Sequence, residues 1–103
     1  ITLSDLDAPG FAHWVIAGIP PQSIALDEAT VPLDAYEATN GLDDIGYTGP
    51  CPPAGSTHRY AITVHYLDNA TGLDNGTPAT ELIAAITSAQ TASAEVTGTF
   101  SRN

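Results

Sequence analysis

Two carboxylates, Asp5 and Asp7, and two histidines, His13 and His58, are the side chains of this sequence best suited to chemistry. A carboxylate beside an imidazole favours the charged ring and orients it, which serves either a general base or a donor to a bound anion. His13 precedes Trp14, His58 opens the run His58-Arg59-Tyr60, and the loop Gly49-Pro50-Cys51-Pro52-Pro53 carries the single cysteine. Each residue also has a plainer role. Asp5 and Asp7 flank a proline turn, where aspartates cap backbone N–H groups. His13 suits a core histidine bonded to a carbonyl, and Arg59 suits an ion pair with one of the 12 acids. Cys51 has no basic neighbour in sequence to activate it. No His and Asp pair shows a strong zinc-site spacing, and no Gly-x-Ser-x-Gly elbow marks a serine hydrolase.

The elements that must position these groups are mostly strands. Ile1 to Leu6 alternates, so Ile1, Leu3, Asp5 and Asp7 are expected on one side. Asp7-Ala8-Pro9-Gly10 is a turn signal, His13 to Ile19 reads as a buried strand, and Pro20-Pro21 ends it. Residues 22–45 are acidic and weakly periodic, which predicts connecting structure. Three glycines and three prolines in residues 46–55 predict a shaped loop, with hinges at Gly46, Gly49 and Gly55. His58 to Leu67 is the clearest strand, with Tyr60, Ile62, Val64 and Tyr66 on one face. Thr77-Pro78 predicts a helix start with a capping hydroxyl, a stripe of Leu82, Ile83 and Ile86, and an end near Thr91. Glu95 to Phe100 is expected as a last short strand.

Composition narrows the function classes. With 103 residues and 10.6 kDa there is room for one modest core, and area scaling predicts roughly 5,500 Å² of folded surface. Twelve acids oppose two arginines and no lysine, a formal net charge of −10. Gripping a nucleic-acid backbone or an anionic membrane needs clustered Lys and Arg, so neither is expected as a partner. The longest mainly apolar stretch, Phe11 to Ile19, is too short to span a bilayer. One cysteine excludes an internal disulfide and leaves the compartment open between cytoplasmic and periplasmic or secreted.

Four segments together carry a family resemblance: Asp5-Leu6-Asp7-Ala8-Pro9, His13-Trp14-Val15-Ile16-Ala17-Gly18-Ile19-Pro20, residues 46–55, and His58-Arg59-Tyr60-Ala61-Ile62-Thr63-Val64. In this order they resemble the hallmark motifs of the phosphatidylethanolamine-binding protein family, closest to its short prokaryotic branch, over nearly the whole chain. Gly98-Thr99-Phe100-Ser101-Arg102 resembles that branch's final strand. Leu6 stands where the family's first motif usually has a proline.

The resemblance implies a mainly β fold, an antiparallel Greek-key β-sandwich with a peripheral C-terminal helix. Residues 1–103 would be the C-terminal part of that domain, without its N-terminal strands. It implies a pocket for a small anionic or phosphorylated ligand, lined by Asp5, Asp7, Pro9, His13, Gly49, Pro50, Cys51, Pro52, Pro53, His58 and Tyr60. It also implies a cis Ala8–Pro9 bond and a kinase or protease as protein partner. No catalytic residue, metal or cofactor is expected. The alternatives are a hydrolase using the His and Asp groups, or a non-binding interaction fragment. An unpaired sheet edge would favour a homo-oligomer or association with a missing N-terminal segment.

Overall fold

The computed structural model of the chain describes residues 1–23 and 25–103. Strands β1 (Thr2–Asp5), β2 (Ala12–Ala17), β3 (Tyr36–Glu37), β4 (Thr57–Leu67) and β5 (Gln90–Ser101) form one sheet in the order β3-β2-β1-β4-β5, with every neighbouring pair antiparallel. The first four strands thus lie in the spatial order 4-1-2-3 of a Greek key, because the chain returns from β3 to place β4 beside β1. Helix α1 (Ala79–Ala89) crosses from β4 to β5 and covers one face of the sheet.

That covered face holds the core. Leu82 and Ile86 lie one turn apart on α1, so both point at the sheet, where they meet Val15, Ala17 and Ala38. Both are almost fully buried, at 0% and 2% exposure. Ile83, the third residue of the expected stripe, turns outward. The helix begins without the expected cap: Pro78 occupies the N-cap position, and the Thr77 hydroxyl donates to the Asp74 carbonyl at 2.8 Å. At its other end α1 passes directly into β5, with Gln90 already extended.

The opposite face is covered at Leu3, Asp5 and Tyr60 and open over the rest of β4 and β5. Register places Leu3 across from Ile62, Asp5 across from Tyr60, Ile62 across from Val96 and His58 across from Phe100, so these side chains share that face. The predicted apolar side of β4 is real, yet Ile62, Val64 and Tyr66 are exposed, as are Val96 and Phe100. Total accessible surface is 6457 Å², against roughly 5,500 Å² for a closed fold of this mass. Among the described residues no second sheet covers that face.

Several expectations change in detail. Residues 22–45 connect β2 to β4 as expected, apart from position 24, which lies outside the described residues, and Tyr36–Glu37, which form β3. That two-residue strand has no periodicity to read; it exists because it pairs with Ile16 and Ala17. β5 starts at Gln90 instead of Glu95 because β4 supplies a long partner edge through Leu67. Asp7 does not share the side of Asp5, because β1 ends at Asp5 and the turn carries Asp7 outward. Every described peptide bond, Ala8–Pro9 included, is trans. The turn is closed by Ala8 N–H to Asp5 O at 3.3 Å and Phe11 N–H to Ala8 O at 3.2 Å, with Gly10 at φ +89°.

Candidate functional site

The end of β1, the start of β2 and the start of β4 meet at one end of the sheet, and with them Asp5, His13, His58 and Tyr60. Asp5, 6% exposed, places Oδ2 2.6 Å from His58 Nδ1 and accepts the Asp7 backbone N–H on Oδ1 at 2.8 Å. Burial pushes the Asp5 carboxyl up, but the His58 hydrogen bond, the Asp7 amide and the nearby imidazoles outweigh it and hold the group below its ordinary value. A carboxylate can only accept, so His58 carries its proton on Nδ1. Its Nε2 has no hydrogen-bond partner among the described residues.

Tyr60 lies beside this pair. Its hydroxyl is buried and has no hydrogen-bond partner among the described residues. Burial pushes the phenol up, followed by the charge and the nearby acceptor oxygen of Asp5, so it stays protonated and able to donate; the approach to Asp5 falls short of a full hydrogen bond. Leaving such a hydroxyl unpaired costs about 1–3 kcal/mol.

His13, 5% exposed, is held from two sides. Its Nδ1 donates to the Thr48 carbonyl at 3.0 Å, which turns Nε2 away from the loop. Its ring stacks edge-on against Phe11 at 4.8 Å and Tyr60 at 5.4 Å. The core-histidine role and the site role thus coexist in one residue. Phe11 is itself set by Gly41, where a Cβ would fall 2.5 Å from the ring.

The glycine-proline loop contributes unevenly. Pro50 lines a hollow of about 340 Å³ with Tyr60, Leu3 and Phe100. Pro52 is buried, and the amides of Gly49 and Cys51 make no hydrogen bond within the described residues. Of the expected hinges, Gly46 and Gly55 take positive φ and Gly49 does not. Cys51 is exposed; its Sγ lies 3.8 Å from Arg102 Nη1, so its basic neighbour is spatial. Pro53 and Pro9 are exposed, and no described contact brings either to the cluster. A larger apolar groove of about 690 Å³, lined by Ile16, Tyr36, Val64 and Ile86 among others, lies at the far end of the sheet.

Asp7 plays a different part from Asp5. It grips Arg59 with both oxygens, at 2.9 Å to Nη2 and 3.2 Å to Nε, and accepts the Arg59 backbone N–H at 2.7 Å. The Arg59 hydrogen bonds hold its carboxyl down at about 2. Sequence separation hid one neighbour of the site: β5 pairs with β4 so that Arg102 sits beyond Phe100, opposite Ser56, next to the Cys51–Pro52 corner. Among the described residues, no group of three His, Cys, Asp or Glu is placed to hold a metal ion, and no helix is long and apolar enough to cross a membrane.

Comparison with known proteins gives consistent results. Residues 1–101 match the family model described as phosphatidylethanolamine-binding protein. The chain is 35% identical to Mycobacterium tuberculosis LppC over 103 residues, covering 97% of this chain and 51% of that protein. It is 33% identical to a UPF0098 protein of Methanothermobacter thermautotrophicus over 105 residues, covering 95% and 69% respectively. The crystal structure of Escherichia coli YbcL, titled a new member of the mammalian PEBP family, superposes with a TM-score of 0.90 at 26% identity, covering 99% of this chain and 70% of that one. The chain spans about half the length of the mycobacterial relatives it matches.

Proposed function

The chain belongs to the phosphatidylethanolamine-binding protein family, and from that premise we propose that the Asp5–His58–Tyr60–His13 cluster binds a small oxyanion such as phosphate or a phosphorylated head group. The observation that carries this reading is the buried Tyr60 hydroxyl without a partner. A bound oxygen atom would accept its proton and remove the desolvation penalty. The open Nε2 of His58 supplies a second donor when the ring is charged, with Asp5 holding the ring through Nδ1. The Gly49 and Cys51 amides, unpaired among the described residues, add fixed dipoles without adding charge.

The protein then acts by binding and not by catalysis. The alternative is a hydrolase that uses the Asp5–His58 pair as a general base toward water. Modulation of a kinase or protease would follow from occupancy of this site. Calorimetry with phosphate and phosphoethanolamine on the wild type and His58→Ala at one pH tests the reading. Affinity is expected to fall in the variant, because the Nε2 donor is lost. Equal affinity in the two proteins, or turnover of generic ester or phosphomonoester substrates that His58→Ala abolishes, would overturn it.

A further inference from the structure

The chain has only two arginines and no lysine against 12 acids, yet the fold brings both arginines to the end of the sheet that holds the cluster. Their states differ. Arg59 is neutralised by the two oxygens of Asp7. Arg102 meets no carboxylate among the described residues; its guanidinium lies over the Cys51–Pro52 corner, 3.8 Å from Sγ and 3.5 Å from the Pro52 carbonyl.

Register fixes where that charge sits. His58 pairs with Phe100, and Arg102 follows two residues later, so it shares the face of His58 and Tyr60. Its backbone is held by Gly55 N–H to Arg102 O at 2.7 Å and Arg102 N–H to Ser56 O at 3.0 Å. Two residues of strand rise and one interstrand spacing put the Arg102 and His58 Cα atoms roughly 8 Å apart. Among the described residues, the cluster end therefore carries an arginine without a carboxylate partner beside unpaired donors.

We propose that Arg102 is a second anion-binding point of this site, so that the preferred ligand is a phosphate ester carrying a further anionic group that reaches the Arg102 guanidinium. The inference rests on the anion-site reading: the phosphate engages Tyr60 and His58, and the second group meets the Arg102 guanidinium. An exposed charge-assisted contact of this kind raises affinity about fivefold at low ionic strength and less in high salt.

Glucose 6-phosphate and 6-phosphogluconate test this, since they carry the same phosphate and differ in a terminal carboxylate. In calorimetry at pH 6 and low salt, the wild type is expected to bind 6-phosphogluconate about fivefold more tightly. Arg102→Gln should bind both at the glucose 6-phosphate level with an unchanged melting temperature, because the backbone bonds at position 102 are untouched. Arg102→Lys should restore part of the preference. A wild type without preference, or a preference that survives in Arg102→Gln, overturns the role of Arg102 while phosphate binding that needs His58 leaves the anion site standing. Absence of phosphate binding in the wild type overturns both.

Discussion

Replacing Tyr60 by phenylalanine removes one oxygen atom and nothing else, and the two states of the site should respond in opposite directions. In the free protein the hydroxyl is buried without a partner, so its loss relieves a desolvation penalty of about 1–3 kcal/mol. A stabilisation of about 1 kcal/mol raises the melting temperature of a domain this size by about 4–8 °C. In the complex the same oxygen donates to an anion, and a hydrogen bond to a charged group contributes about 1.5–3 kcal/mol. Phosphate affinity should therefore fall about ten- to hundredfold. Thermal unfolding without ligand and calorimetry with phosphate measure the two effects on one variant. A lower melting temperature in Tyr60→Phe would mean that the hydroxyl has a partner in the free protein. Unchanged affinity would mean that it does not touch the ligand. Either result refutes the reasoning.

Other expectations follow from the same geometry. Asp7 has its carboxyl held at about 2 by Arg59, below the unfolded value of about 3.9, so its stabilising effect is present above pH 4 and is lost as pH falls through 2. Asp7→Asn should flatten that part of the melting temperature profile between pH 4.5 and pH 2. Leu82→Ala empties a fully buried position between α1 and β2 and should cost about 2–5 kcal/mol in urea unfolding. Gly41→Ala pushes on the Phe11 ring that braces His13, and should weaken phosphate binding. Adding Phe11→Leu should recover part of the loss, a coupling that calorimetry on the double mutant reads directly.

Period-2 alternation was enough to place β1, β2 and β4, because a strand with one buried face must repeat its side chains in twos. It also put Asp5, His58 and Tyr60 at strand ends where a site forms. What alternation could not supply was anything decided by partners. Tyr36–Glu37 become a strand only against Ile16 and Ala17, and Gln90 to Ala94 only against the far half of β4. Asp7 follows the turn and not the strand parity. The pairing of Asp7 with Arg59, and the approach of Arg102 to Cys51, are contacts across about half of the chain that no local pattern encodes. Pro9 and Pro53 belong to the site only by family resemblance, and the structure leaves them at the surface.

The return of β4 to the side of β1 has a kinetic consequence. Asp5 and His58 are 53 residues apart in sequence, and closing a flexible loop of that size costs about 3.5 kcal/mol before any contact compensates it. Non-local antiparallel pairing of this kind slows folding. The cluster is absent until the loop has closed, so any partly folded chain lacking the β1–β4 ladder is blind to the anion. Ligand at a hundredfold excess over its dissociation constant would deepen the native state by about 2.7 kcal/mol. Occupancy of the site thus reports, and rewards, completion of the slowest pairing in the molecule.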